Sequence, residues 1–255
     1  MHKLQRAFIL FFGEVPCLDR NVALNYVKRK KRKKRAALIS LFSSIGITIM
    51  IIIAFCIITV DRFTITTSQQ YLSLTIDENK QALTTSLHAP PLLKATDTQY
   101  SDIPENIDEG LGSKNTNSYF AYSFYLIGGS DLAQEMNYSL TMTLKVASNA
   151  LEDAVRVMII KDGCRTVYAQ PNDDGSSKLI YYAANHSDEP QIIGATVPFK
   201  NNKHIILEPY KIKPGVEQKY TIVMWIDGWD SVNEMKGGTF NSELKFQILS
   251  NNEVN

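Results

Sequence analysis

Cysteine is scarce: the 255 residues hold three, Cys17, Cys56 and Cys164. They lie far apart in unlike stretches, so no intrachain disulfide is expected, and a packed core must hold the fold. The four histidines, His2, His88, His186 and His204, are scattered and have no cysteine partners at zinc spacing. Neither H-E-x-x-H nor G-x-S-x-G occurs. Gly128-Gly129-Ser130 and Gly237-Gly238 lack the spacing and the lysine of a phosphate loop, and a turn explains both. These absences predict a protein that is not an enzyme. An envelope hydrolase is the least favoured reading, because Asp227 and Asp230 are candidates for the carboxylate pair of glycoside hydrolysis only in a trivial sense.

Charge is missing altogether from Ala36 to Val60. As a helix this stretch would span roughly 37 Å, enough to cross a bilayer core. In lipid an unpaired backbone is costly, so helix outweighs the strand preference of the run Ile47 to Ile53. Eight cations precede it: Lys28, Arg29, Lys30, Lys31, Arg32, Lys33, Lys34 and Arg35. Such a flank predicts an uncleaved, single-pass signal-anchor in the cell membrane, with the N-terminus cytoplasmic and the C-terminal part extracellular. The basic run would then set topology and meet anionic headgroups, making the lipid bilayer a partner. No aromatic residues interleave with it to stack bases, so no nucleic acid is expected as partner. A cleaved signal peptide would need a shorter apolar core and small residues before the cut; Phe55 precedes Cys56.

The predicted organisation is a basic cytoplasmic tail over 1–35, a transmembrane helix over 36–60 and an extracellular domain over 61–255. Residues 1–35 carry a net charge of +9, and the remainder a net of −8. An acidic outer part does not suit a binder of polyanions.

Beyond the anchor the pattern is that of strands. Leu72, Leu74 and Ile76 fall on one face. Residues 79–118 are loop-rich and read as an irregular insertion laid over the domain through Leu87, Leu92, Leu93, Tyr100, Ile103 and Ile107. Tyr119–Gly128 reads as a central strand. Tyr138, Leu140, Met142, Leu144 and Val146 alternate with polar residues, as in a half-buried strand. Val155, Val157 and Ile159 lead into a hairpin turn at Asp162-Gly163. Gln218–Gly228 is apolar on both faces, as in a strand covered on both sides. Phe240, Ser242, Leu244, Phe246 and Ile248 share a register. With at least eight short β segments, the fold class is mainly β: an antiparallel, jelly-roll-like β-sandwich ectodomain preceded by one transmembrane helix.

One cluster stands out, Trp225-Ile226-Asp227-Gly228-Trp229-Asp230 with Glu234 beyond. Asp227, Asp230 and Glu234 are oxygen donors that suit Ca²⁺. Trp225 and Trp229 beside carboxylates suit a sugar face. An ordinary turn at Asp227-Gly228, with Trp225 in the core, is the plainer reading. No cofactor is required, and Ca²⁺ is the one candidate.

Several stretches resemble the uncharacterised, signal-anchored surface proteins of low-GC Gram-positive bacteria. They are NSYFAYSFYLIG, NYSLTMTL, ALEDAVRVMIIKDG with TVYA, and KYTIVMWIDGWD with GGTFNSELKF. More distantly the layout is similar to camelysin and biofilm-fibre surface proteins. The late stretch departs from the family pattern, since Ser231-Val232-Asn233 stands where Pro, an acidic residue and Cys are common. The resemblance implies a structural, adhesive or protein-interaction role at the envelope, with another envelope protein or a wall polymer as partner. A calcium- or wall-glycan-binding module at residues 225–234 is the alternative.

Overall fold

Alternating apolar side chains put one face of each long strand into a shared interior, and two sheets close over it. The computed structural model describes residues 63–67, 71–92, 94–130, 132, 134–182, 191–201 and 203–249. All lie in Asp61–Asn255, one of two units into which the chain divides. The five-stranded sheet runs β13 (His204–Ile212), β7 (Met136–Ala147), β15 (Phe240–Ile248), β1 (Phe63–Thr67), β3 (Ser86–Ala89). The larger sheet runs β12 (Val197–Pro198), β9 (Cys164–Ala169), β8 (Val155–Lys161), β14 (Glu217–Asp227), β6 (Tyr119–Gly128), β2 (Leu72–Thr75). Two short strands join it, β4 (Asp97–Thr98) against β14 and β5 (Gly112–Ser113) against β6. A separate ribbon pairs β10 (Leu179–Tyr182) with β11 (Gln191–Ala195).

The main core lies between the sheets. Ile65, Tyr138, Leu140, Met142, Leu244 and Phe246 come from one sheet, and Leu74, Phe124, Val157, Tyr220 and Ile222 from the other. Phe124, Tyr220 and Phe246 pack ring to ring, with centroids 5.1–5.9 Å apart, close enough for edge and offset contacts to add to burial. The hydroxyls of Tyr138 and Tyr220 lie 2.5 Å apart, so this polar pair inside the core is satisfied.

A second cluster covers the outer face of the larger sheet. Met158, Ile160, Val223 and Trp225 point that way, and Ile103 and Ile107 from the 99–111 segment bury against them. This explains why β14 is apolar on both faces. Lys114 holds the covering segment down: its Nζ donates to the carbonyl of Ile107 at 2.6 Å and to that of Glu109. Burial, reinforced by Lys219, lowers the pKa of that ammonium.

Three corrections follow. Among the described residues no helix is long and apolar enough to cross a membrane, and the expected span 36–60 and its basic flank Lys28–Arg35 lie outside those residues. The transmembrane helix in the fold class, the single-pass topology, the bilayer as partner and the surface location have no support from the structure and are set aside. The sandwich is also not purely antiparallel. β1 runs parallel to β15, with Thr64 opposite Glu243, and β12–β9 and β14–β4 are parallel too. β1 and β15 are distant in the chain, so no hairpin forces them antiparallel. Finally, Ile76 does not join Leu72 and Leu74 inside. β2 stops at Thr75, because the Asp77 carboxylate accepts the N–H groups of Asn79 and Gln81 and turns the chain. Ile76 is left 46% exposed.

Candidate functional site

The region that concentrates charge, exposed aromatic surface and open volume is one end of the sandwich, where β14 stops and β1, β6, β8 and β15 start. Its centre is the turn that follows β14. The Asp227 N–H donates to the carbonyl of Ala154 at 2.9 Å, which fixes the end of the strand. Asp227 Oδ1 accepts the Trp229 N–H at 2.9 Å, and the Asp227 carbonyl accepts the N–H groups of Asp230 and Ser231 at 3.2 and 3.0 Å. This is an Asx turn: a short carboxylate satisfies the backbone of the residue two positions on.

The other Asp227 oxygen faces a buried cation. Arg156 lies on β8 directly opposite Trp225, and its side chain is 3% exposed. Alternation along Val155–Lys161 sends Val155, Val157 and Ile159 inward, and Arg156 outward with Met158 and Ile160. Arg156 Nε lies 3.4 Å from Asp227 Oδ2, and Arg156 Nη2 donates to Asp230 Oδ2. Arg156 Nη1 also points to the carbonyls of Asp153, Ala154 and Val155 at 3.3–3.5 Å. Lys178 completes the group, 3.2 Å from Asp230 Oδ2 and 2.6 Å from the Asp153 carbonyl. Two cations thus meet two carboxylates.

The carboxylates respond differently. Burial pushes the Asp227 carboxyl above its ordinary range, and the Arg156 charge only partly offsets this. Burial acts on Asp230 in the same sense, but hydrogen bonds and charge from Arg156 and Lys178 outweigh it and hold Asp230 below the usual range.

The same turn borders two openings. The larger, a cleft of about 1150 Å³, lies between residues 91–97 and 231–242. Phe63, Phe120, Leu151, Val155, Met224 and Phe240 supply apolar walls from both sheets, and Phe63 and Phe120 meet edge to face at 5.3 Å. Lys94, Asp97, Glu234 and Lys236 also line it, and all four are exposed. The 231–239 loop is tied down: Asn149 Nδ2 donates to the Lys236 carbonyl at 3.1 Å, and the Thr239 N–H donates to Ser148 Oγ at 2.9 Å. A Cβ on Gly238 would lie 2.9 Å from the carbonyl oxygens of both Met235 and Ser148, so only glycine permits this close return. The smaller opening, about 260 Å³, is lined by Asp97, Thr98, Gln99, Asp102, Gly228 and Trp229.

The residues singled out from the sequence separate here. Asp227 and Asp230 come together, but on Arg156 and Lys178. Glu234 stands apart from them, exposed in a 3₁₀ turn at Asn233–Met235. Among the described residues no group of three or more His, Cys, Asp or Glu is placed to hold a metal ion. The two tryptophans part company as well: Trp225 is 2% exposed in the outer cluster, while Trp229 is 46% exposed. His88 and His204 sit on β3 and β13, the opposite edges of the five-stranded sheet.

Comparison of the chain with protein-family models, with curated proteins and with solved structures gave no match in any of the three. The resemblance to Gram-positive signal-anchored and camelysin-type surface proteins therefore finds no support. Its implied role at the envelope is set aside with it.

Arg156 and Lys178 carry the site, and neither stands out in the sequence. The available signal is a single arginine inside the otherwise apolar run Val155–Ile160. A cation buried in a strand demands a carboxylate partner, and Asp227-x-x-Asp230 is an acidic pair at a strand end.

Proposed function

We propose that the β-sandwich domain is a binding module whose ligand places an apolar part in the cleft between residues 91–97 and 231–242. What supports this is the cleft itself. Its apolar walls come from both sheets at one end of the sandwich, with Met224 and Phe240 half-buried and Phe63, Phe120, Leu151 and Val155 buried beneath them. Ligand sites are concave and mostly apolar, with a few polar groups that orient the ligand. Here Asp97, Glu234, Lys94 and Lys236 line the cleft together with the apolar walls, so the ligand is amphipathic. The tied-back 231–239 loop makes the volume pre-formed, which lowers the ordering cost of binding.

The test is titration of the full-length protein with the amphipathic dye 1-anilinonaphthalene-8-sulfonate, in parallel with Thr96→Trp and Thr239→Trp. Both residues are exposed and line the cleft, so an indole at either position takes up part of the space a ligand would use. Saturable dye fluorescence that falls at least several-fold in both variants is expected. An equal signal in the parent and both variants overturns the proposal.

A further inference from the structure

Beside the Asp227 turn, the exposed Trp229 and the half-buried Tyr181 form an aromatic pair. Their ring centroids lie 5.5 Å apart at an interplanar angle of 46°. They come from different elements. Trp229 stands on the turn after β14, and Tyr181 on the β10–β11 ribbon, where it pairs with Ile192. Beside Trp229 lies the 260 Å³ depression with Asp97, Gln99 and Asp102 in its lining. We infer that this constellation is a carbohydrate subsite, in which a neutral pyranose ring stacks on Trp229 and Tyr181 and gives its hydroxyl protons to Asp97 and Asp102.

The polar chemistry supports a hydroxyl-rich ligand. Asp102 Oδ2 accepts the Gln99 N–H at 3.0 Å, which leaves its other oxygen to accept from a ligand. Asp97 is exposed on β4, in register with Ile226. The charged groups lining the depression are carboxylates, so anionic ligands are disfavoured and hydrogen-bond donors are favoured. An aromatic ring presents an apolar face to the C–H side of a sugar while its surroundings stay wet.

The platform is held in place by charge. Asp227 fixes the Trp229 backbone, and Asp230, the next residue, is clamped by Arg156 and Lys178. Lys178 is also the residue before β10, which carries Tyr181. One ion cluster therefore positions both halves of the aromatic pair. The subsite shares Asp97 with the lining of the cleft, but Trp229 and Tyr181 do not line the cleft, and the Thr96→Trp and Thr239→Trp variants leave that pair intact.

The test is intrinsic fluorescence of the full-length protein, titrated with cellohexaose and with chitohexaose, and with choline as counter-probe. Of the two tryptophans only Trp229 is exposed, so a stacking sugar shifts emission and protects Trp229 from iodide quenching. Saturable binding in the millimolar range or tighter to either oligosaccharide is expected. It is lost in Trp229→Ala and weakened at least tenfold in Tyr181→Ala, while Asp97→Ala weakens it without changing the unliganded spectrum. No saturable response to either sugar overturns the inference. So does a response to choline alone, since carboxylates beside aromatic rings also suit a quaternary ammonium. Sugar binding that survives Trp229→Ala places the subsite elsewhere and overturns it too.

Discussion

Replacing Asp227 tests the account of the site most directly, because Arg156 cannot give up its charge. A guanidinium stays protonated in any protein environment, so removal of its partner leaves a buried cation. Breaking a buried ion pair from one side costs about 3–5 kcal/mol. Asp230 still faces Arg156, but its side chain is 32% exposed and also serves Lys178. The lower end of the range therefore applies, about 3 kcal/mol for Asp227→Ala. For a domain of this size, that corresponds to a fall in melting temperature of roughly 6–12 °C. Asp227→Asn keeps an oxygen for the Trp229 N–H and loses only the charge. It should cost about 1 kcal/mol less, the ordinary net worth of one hydrogen bond.

The double variant Arg156→Met/Asp227→Asn removes both charges and leaves a side chain of similar reach under the turn. Matched replacement of a buried pair is far less costly than loss of one member, so the double variant should be more stable than Asp227→Ala. The assay is equilibrium denaturation of the full-length protein, with the four members of the Arg156→Met/Asp227→Asn cycle and Asp227→Ala compared at one pH. Two results would refute the reasoning: Asp227→Ala costing under about 1 kcal/mol, or the two single losses simply adding in the double variant.

Two further outcomes are expected. Calcium and EDTA should leave the melting temperature of the parent unchanged, and of Asp227→Ala/Asp230→Ala as well, because Arg156 and Lys178 already occupy the carboxylates; a calcium-dependent rise lost in that variant would reverse the assignment. On the acid side, Asp230 has its folded pKa below the ordinary value, so its stabilisation is complete above about pH 4 and is lost as pH falls through the folded pKa. Asp230→Asn should therefore flatten the acid limb of the stability profile below pH 4, measured by urea denaturation at stepped pH, while Asp227, shifted upward, acts in the opposite sense above that range.

The strands were largely legible because their burial is periodic. Phe240–Ile248 alternates as expected, with Ser242, Leu244 and Phe246 buried. The hairpin at Asp162-Gly163 follows from its residues, which take φ of 49° and 83°, as a two-residue turn of this hand requires. What the sequence could not give was partnership across distance. Nothing local tells β1 to lie parallel to β15, or tells residues 99–111 to cover the outer face of the larger sheet. The site shows the same division. Asp227-Gly228 marks a turn in any context, but the cation beneath it comes from β8, more than 70 residues earlier, and Lys178 from a loop between. Trp225 and Trp229 look alike in the sequence, yet strand parity buries the first and the turn exposes the second.

That last contrast shows how the pieces depend on one another. A tryptophan on a free loop would lose much of its binding value to ordering. Here the indole stands two residues beyond a carboxylate that holds its backbone, and one residue before a carboxylate pinned by two cations. A buried Arg156 contributes little as a simple source of stability, because desolvation offsets most of its attraction to Asp227 and Asp230. Its value lies in fixing one conformation of the 227–231 turn. If so, Arg156→Met should weaken sugar binding at Trp229 well beyond what its effect on folding explains. The comparison to make is oligosaccharide affinity of Arg156→Met against Asp162→Asn, which alters a charge at the far end of β8. Equal affinities in the two variants would show that the ion cluster does not preorganise the platform.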